Sequence, residues 1–151
     1  MRTGPAVAIG AMVGSLLTLG GCGGSDSPTN VPAVTTPPAP VSTVLAEGSR
    51  SNLGVNGELS LDPFMTPANG TLDVTVDWTF ATNNVQIYLA DGLCSVQDFP
   101  YGCDFAGEAE SLTAKPERLH LENLRAGTYT LIIVNPGPAV ESVSFQIVFT
   151  R

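Results

Sequence analysis

The fold is decided by ten residues in the middle of the chain, Thr71-Leu-Asp-Val-Thr-Val-Asp-Trp-Thr-Phe80. Every second residue from Leu72 to Phe80 is apolar, and each residue between them is Thr or Asp. Side chains point alternately to the two faces of a β-strand, so this pattern predicts a strand with one buried face and one exposed face. We therefore expect Trp78 and Phe80 to lie in a core between two sheets.

Four further stretches have the composition of strands: Val85–Leu89, Arg118–Leu121, Thr128–Val134 and Ser142–Phe149. The last alternates like the first, whereas Thr128–Val134 is rich in β-branched and aromatic residues without clean alternation, which predicts a central strand covered on both faces. Turn-forming pairs such as Asn69-Gly70 and Asp91-Gly92 separate the strands. The chain is therefore predicted to be all-β, with a single antiparallel, jelly-roll-like β-sandwich over residues 44–151.

The N-terminus has the parts of an export signal. Arg2 gives a short positive region, residues 6–19 are mainly apolar, and the run ends in Leu19-Gly20-Gly21-Cys22. This junction resembles the lipobox of bacterial lipoproteins. The resemblance implies that residues 1–21 are a signal peptide cut off in front of Cys22, and that Cys22 carries the lipid anchor. The apolar run is shorter than the roughly 20 residues of a membrane-spanning helix, and a plain secretory signal would not need the cysteine.

The segment after the signal, residues 22–43, is predicted to be a disordered tether. It is rich in Pro, Thr and Ser, and prolines at positions 28, 32, 37, 38 and 40 favour an extended path. Gly23 stands where some lipoproteins of the inner membrane have an aspartate. We therefore expect a bacterial envelope protein anchored in the outer membrane and facing the periplasm or the cell surface.

The mature chain would be strongly acidic. Without residues 1–21 it has 130 residues, with five Lys and Arg against fourteen Asp and Glu, a net charge of −9. This length suits one domain. The negative charge opposes binding to nucleic acid, because phosphates would be repelled.

Two cysteines, Cys94 and Cys103, remain once Cys22 has been assigned to the lipid. Export to an oxidising compartment predicts a disulfide between them. In the chain-entropy model a loop of about ten residues gains roughly 2.7 kcal/mol of stability from such a bond. A metal site would need further ligands, and His120 is the single histidine.

From Val74 onward the order of elements resembles the bacterial pre-peptidase C-terminal domain. The matching segments are Val74–Phe80, Asn84–Leu89, Leu124–Leu131 and Ser142–Phe149. The most specific of them is the turn Leu124-Arg-Ala-Gly-Thr-Tyr129. The resemblance implies a small sandwich that accompanies secreted enzymes in substrate binding or processing and is not itself catalytic. The Asp-x-Asp segment of that family is replaced here by the neutral Asn84 and Gln86.

The sequence carries no catalytic motif. It lacks a nucleophile elbow, a zinc-protease motif and a phosphate-binding loop. His120 is expected on the outward face of its strand, between Arg118 and Glu122. Asp73 and Asp77 share an outward face about 13 Å apart, farther than the paired carboxylates of a glycosidase. We therefore expect that the protein is not an enzyme.

The long stretch Asp91–Ser111 is predicted to be a binding loop, preorganised by the disulfide. Phe99, Tyr101 and Phe105 would stack on a sugar or anchor a protein partner, or would instead fold inward as a small core of the loop. Five carboxylates make Ca²⁺ the one cofactor to consider, with solvated charge as the alternative. These candidate ligands are Asp91, Asp98, Asp104, Glu108 and Glu110.

These observations predict a non-catalytic lipoprotein, anchored to a membrane, whose β-sandwich binds an unidentified protein or glycan. The alternative is a structural component of the envelope, or an accessory of a secreted enzyme or export system.

Overall fold

A computed structural model describes residues 37–111 and 115–151. The predicted signal peptide, Cys22 and most of the tether lie outside the described residues. The strands of the described part are β1 (Ser42–Leu53), β2 (Gly57–Ser60), β3 (Phe64–Thr66), β4 (Gly70–Trp78), β5 (Val85–Asp91), β6 (Phe105–Ser111), β7 (Glu117–Leu124), β8 (Gly127–Asn135) and β9 (Glu141–Thr150). Within this part of the chain no helix is long and apolar enough to span a membrane.

The strands form two antiparallel sheets that pack face to face. The four-stranded sheet has the order β1-β9-β4-β7, and the five-stranded sheet has the order β2-β8-β5-β6, with β3 also paired to β8. This interleaving of early and late strands is the strand order of a jelly roll. The predicted class, a single antiparallel β-sandwich, is confirmed.

The alternating stretch becomes β4, which lies between β9 and β7. Leu72, Val74 and Val76 are fully buried and Trp78 is 4% exposed, so the predicted inward face is confirmed up to the tryptophan. The prediction for Phe80 was wrong. β4 ends at Trp78, and Phe80 lies in the following loop with 49% of its surface exposed.

The centre of the five-stranded sheet is β8, as predicted. It pairs with β5 on one side and with β2 and β3 on the other. All seven residues from Tyr129 to Asn135 are buried. A strand with neighbours on both sides and cover on both faces buries every side chain, which explains why its sequence is apolar without alternation.

The prediction of a loop for residues 107–111 was wrong, because these residues form most of β6. This edge strand pairs with β5 from Val85 to Ala90. Its residues have low strand propensity, but the small ones have a packing reason. A Cβ on Gly107 would lie 2.7 Å from a methyl carbon of Leu121 on the facing sheet, and Ala109 packs against the main core.

The longest strand, β1, was missing from the sequence prediction. It begins at Ser42, two residues before the expected start of the domain at residue 44, and pairs with β9 along its length. Backbone hydrogen bonds of 2.8 and 3.1 Å join Val41 to Arg151 just beyond this ladder. The strand pattern is weak because most of its residues are exposed and two register shifts interrupt the pairing.

One end of the sandwich, here called the loop end, includes residues 54–56, 79–84 and 136–140, and Lys115 of the β6–β7 connection donates to Thr79 O there at 3.2 Å. Asn135 joins two of these loops, since its amide nitrogen donates to Leu53 O and Gly54 O at 3.0 Å and to Ala139 O at 2.8 Å. Its amide oxygen accepts from Asn83 of the third loop at 3.1 Å. A single buried side chain therefore ties the three loops together.

Glu141 completes this network with a carboxylate that is almost fully buried. It accepts hydrogen bonds from Thr79 N at 2.7 Å, from Phe80 N at 3.2 Å and from the side-chain nitrogen of Asn83 at 2.7 Å. Gly137 packs so closely on Asn83 that a Cβ there would overlap the amide oxygen. Hydrogen bonds therefore fix the loop end from within the protein.

Candidate binding surface at the disulfide loop

Of the stretch Asp91–Ser111 that was predicted to bind, residues 92–104 form the connection between β5 and β6, here called the disulfide loop. Cys94 and Cys103 are disulfide-bonded with their Cα atoms 5.7 Å apart, which confirms the predicted pairing. Ser60 Oγ of β2 donates to Cys94 O at 2.8 Å, and Thr130 Oγ1 of β8 donates to Gly92 O at 2.7 Å. The loop is thus bonded to two strands of the five-stranded sheet.

Hydrogen bonds within the loop give it a compact turn. Asp98 N and Phe99 N both donate to Ser95 O, at 3.0 and 3.1 Å, and Gly102 N donates to Asp98 O at 2.7 Å. Ser95 Oγ also donates to Asp98 Oδ2 at 2.6 Å. These bonds and the disulfide restrain the backbone of the loop from within the protein.

The loop covers the outer face of the five-stranded sheet. Cys94 packs with Ala90 of β5 and with Ile132 and Val134 of β8 in a second, smaller core, and Phe99 joins from the loop. This cover explains why β8 is buried on both faces. It lies over a sheet face, not over an open end of the sandwich.

Two of the three predicted binding aromatics belong to a cluster of rings beside this small core, in which Phe99 packs against the core and Phe105 packs against Phe99 and Tyr88. Phe99, Phe105 and Tyr88 of β5 form a mutual cluster with ring centroids 5.0 to 5.8 Å apart. Phe99 is half-buried and Phe105 is 37% exposed. Of the two arrangements considered from the sequence, the inward one describes Phe99 and Phe105.

The third aromatic, Tyr101, is 99% exposed at the outer side of the loop. Leu93 at the start of the same loop is 77% exposed. Leu93 was not predicted to be a binding residue. Its place between the turn Asp91-Gly92 and Cys94 puts it outside the alternating strands, and this was the signal that could have marked it as an exposed apolar residue. These two side chains are the large apolar groups that the loop exposes most.

The five candidate calcium ligands are not brought together. Asp91 ends β5, Asp98 lies in the loop turn, Asp104 is near the end of the loop, and the two glutamates lie on β6. No group of three or more His, Cys, Asp or Glu side chains placed to hold a metal ion occurs among residues 37–111 and 115–151. The calcium hypothesis therefore stays a prediction without geometric support.

The glutamates of β6 have other partners on the sheet. Glu110 accepts hydrogen bonds from Gln86 at 2.7 Å and Asn84 at 2.9 Å, and these bonds lower the pKa of its carboxyl group. Burial, followed by the charges of Glu108 and Glu110, raises the pKa of the Tyr88 hydroxyl. Asn84 and Gln86 thus serve as neutral donors to a carboxylate.

His120 lies on the outer face of the four-stranded sheet, far from the disulfide loop. As predicted, it is exposed, and its Nδ1 is 2.6 Å from Asp73 Oδ1 on the neighbouring strand. Its Nε2 is 3.7 Å from Glu122 Oε1. The pKa of the imidazole is raised, and the largest cause is the hydrogen bond that the protonated ring donates to Asp73. Both of these partners are carboxylates, so His120 belongs to a surface ion pair when its ring is protonated.

No protein-family model and no curated protein matches the chain. Three solved structures are similar in fold at low identity. One is the C-terminal domain of a structural protein from Sulfolobus turreted icosahedral virus, at 17% identity over 72% of this chain and 98% of that one, with a TM-score of 0.42. Another is the Yersinia pseudotuberculosis-derived mitogen, at 14% identity over 73% and 85%, with a TM-score of 0.45.

The third is a family two carbohydrate esterase from Cellvibrio japonicus, at 9% identity over 74% of this chain and a TM-score of 0.35. The present chain spans only 33% of that enzyme. No functional inference rests on these likenesses.

Proposed function

We propose that this protein is a non-catalytic lipoprotein of the bacterial envelope that binds another protein through its disulfide loop. One observation carries the binding proposal. Tyr101 and Leu93, 99% and 77% exposed, project from a loop whose own backbone is fixed. Tyrosine is among the residues that most often anchor protein interfaces, and the neighbouring leucine adds apolar area that a partner can bury.

The rigidity of the loop supports this proposal energetically. Binding normally loses free energy to the ordering of loops and side chains, at about 0.5–1.5 kcal/mol for each immobilised side chain. The disulfide and the turn bonds of Ser95 and Asp98 remove the backbone part of that cost. If the loop served only to cover the small core, Phe99 and Cys94 would be enough. Exposed apolar side chains at positions 93 and 101 would then have no purpose.

The identity of these two residues favours a protein over a glycan. A sugar-binding platform uses aromatic faces with polar groups around them, which Tyr101 alone would provide. An exposed leucine gains more from an apolar pocket on a protein partner. The three aspartates around the loop, Asp91, Asp98 and Asp104, would favour a basic rim on that partner and speed its association.

The experiment is a pull-down from solubilised envelope extract with the mature chain. The double variant Leu93→Ser/Tyr101→Ser should lose at least about tenfold in partner recovery, since each anchor is worth at least a kcal/mol or two. Met65→Ser is the matched control, because Met65 is 69% exposed on β3 and lies outside the loop. Unchanged recovery by the double variant, or binding of a glycan array with no protein captured, would contradict the proposal.

The anchor is tested separately. Cys22→Ala should abolish lipid attachment and move the protein from the membrane fraction to the soluble fraction, because the thiol of Cys22 is the acceptor of the lipid. Intact mass of the membrane-fraction protein should show the acyl groups on a chain that begins at residue 22. Continued partition of Cys22→Ala with membranes would overturn the lipoprotein assignment without affecting the binding experiment.

A further inference from the structure

Strand β6 forms one edge of the five-stranded sheet. Among the described strands the order is β2-β8-β5-β6, so β6 has β5 on one side and no strand on the other. It pairs with β5 residue by residue from Gly107 to Ser111, and the register shift of this pair lies between Phe105 and Gly107. The outward N–H and C=O groups of such an edge are a template on which another strand can pair.

The other edges of the sandwich are less suited to accept a strand. The pairing of β1 is interrupted by two register shifts, and β2 and β3 have only four and three residues, with Pro63 between them. β7 has a register shift in its pairing with β4 and exposed charges of both signs, Arg118 and Glu122. β6 has no proline and no register shift after Gly107, so its charges decide which chain it can accept.

Two carboxylates lie along β6 on the outer face of the sheet. Glu108 and Glu110 are exposed and are two residues apart, which places both on one face. No ion pair of the described residues includes either glutamate, and residues 112–114, which lie outside the described part, are Leu-Thr-Ala. The side-chain donors to Glu110 are the neutral Asn84 and Gln86, which leave its negative charge uncompensated.

A cavity of about 290 Å³ opens beside the two carboxylates. Its lining residues are Tyr88, Glu108, Ala109 and Glu110. The ring of Tyr88 is held by Phe99 and Phe105, whose centroids are 5.0 and 5.5 Å away. The stem of a lysine or arginine side chain packs well on an aromatic ring while its charged end reaches carboxylates. The cavity therefore has the chemistry to take a basic side chain from a strand laid beside β6.

The same charges exclude a second copy of this chain as the occupant. Antiparallel pairing of two β6 strands around Ala109 would set Glu108 of each copy opposite Glu110 of the other, and like charges directly opposite one another are destabilising. The whole chain is also acidic, with fourteen Asp and Glu against six Lys and Arg. A basic strand gains from the same carboxylates, because residues directly opposite each other lie on the same face of a sheet.

We propose that β6 is a docking edge for an extended segment of another protein that has Lys or Arg at alternate positions. The segment adds a strand to the five-stranded sheet, so that backbone hydrogen bonds hold it and its basic side chains meet Glu108 and Glu110. The carboxylates select the partner, since they repel an acidic strand and attract a basic one. This contact does not involve Leu93 or Tyr101 and is independent of the partner proposed for the disulfide loop.

The test uses residues 22–151 with Cys22→Ser, so that no lipid is attached, and an eight-residue peptide of alternating Lys and Thr. Without peptide the outward amide hydrogens of β6 exchange with solvent, and saturating peptide should slow their exchange at least about tenfold. The same peptide with N-methylated backbone amides has equal charge but cannot form a strand, so it should protect none of them. A peptide of alternating Gln and Thr lacks the cations and should bind more weakly.

Charge selection is tested with a control that matches the variant in net charge. Glu108→Gln/Glu110→Gln should lower the affinity for the lysine peptide at least about fivefold, because both carboxylates that meet its cations are removed. Glu47→Gln/Glu58→Gln removes two exposed carboxylates from β1 and β2 and should bind like the parent. Trp78 fluorescence checks that each variant is folded.

Four results would overturn the proposal. They are no protection of β6 by the lysine peptide, equal protection by its N-methylated form, equal loss of affinity in the two double variants, and loss of peptide binding in Leu93→Ser/Tyr101→Ser. The last result would place the peptide on the disulfide loop. The first three would leave the protein partner proposed for that loop untouched, because the pull-down depends on Leu93 and Tyr101.

Discussion

Three polar residues, Asn83, Asn135 and Glu141, determine how the loop end is built, although a sequence pattern of apolar alternation gives no weight to any of them. Glu141 is 1% exposed and Asn135 is fully buried. Both stand at the ends of strongly apolar strands, where a polar residue is expected to face water. Their amide and carboxylate groups instead form the hydrogen bonds that water would otherwise make to backbone atoms of three loops.

Replacing the carboxylate of Glu141 by an amide should destabilise the domain. In Glu141→Gln one oxygen becomes an NH2 group that faces the N–H donors of Thr79, Phe80 or Asn83, and buried donors are left without acceptors. The expected loss of unfolding free energy is about 1–3 kcal/mol, measured by urea denaturation followed through Trp78 fluorescence. Glu58→Gln on the exposed side of β2 is the control, and an equal effect of both changes would contradict the role given to Glu141.

The pairing of His120 with Asp73 predicts a dependence on pH. The folded pKa of His120 is raised above its ordinary value of 6.5, and the largest cause is the hydrogen bond that His120 donates to Asp73. The stabilisation is therefore complete below about pH 6.5 and is lost as the pH rises through the higher folded pKa. An NMR titration should give His120 a pKa above 6.5 that returns towards 6.5 in Asp73→Asn; an unchanged value in that variant would exclude Asp73 as the cause.

Strands were predictable from the sequence where one face is buried and the other is solvated. β4 and β9 satisfy that condition, and their alternation is nearly complete. β1 is an exposed edge strand with two register shifts, and the inward residues of β6 are small. Neither strand therefore shows the alternation of large apolar and polar residues on which the prediction depends. The disulfide of the candidate site followed from cysteine counting alone. The inward turn of Phe99 could not be predicted, because it depends on contacts with β5 and β8.

The close packing of β6 on β7 makes Gly107 sensitive to size. Gly107→Val would place carbon atoms against the methyl groups of Leu121, the nearest being 2.7 Å from a Cβ. Overpacking of this kind should cost about 1 kcal/mol, the low end of the usual range, because the contacted atoms are the end of the half-buried Leu121 side chain. Glu108→Val, on the opposite face of the same strand, should change stability by less than about 0.5 kcal/mol. Thermal unfolding compares the two, and a stabilising effect of Gly107→Val would show that the facing strands have room.

The disulfide loop should lose its order when its crosslink is removed. Cys94→Ala/Cys103→Ala should lower the unfolding free energy by about 2–4 kcal/mol, because the unfolded chain gains freedom. The small core over β8 would also loosen, so amide hydrogens of Ile132 and Val134 should exchange faster than those of Val74 on the other sheet. Equal protection of both sheets in the variant would indicate that the hydrogen bonds from Ser60 and Thr130 hold the loop without the disulfide.

For the whole molecule, the compact unit Pro38–Arg151 contains the main core and both sheets. We expect this unit, expressed alone, to unfold in one cooperative transition and to match the mature chain in stability within about 0.5 kcal/mol. Its Trp78 emission should be blue-shifted and protected from quenchers, since the indole is 4% exposed. Loss of stability on removing residues 22–37 would show that the tether contributes contacts to the domain.

The strand that is last in the sequence completes the first sheet. β9 lies between β1 and β4, so until residues 141–150 are present β1 has no partner strand and β4 has only one. Pairings between the two ends of a chain form late and slowly. A ribosome that releases these strands in order therefore handles a chain without a finished four-stranded sheet until residues 141–150 have emerged. Folding of the sandwich as a unit waits for β9.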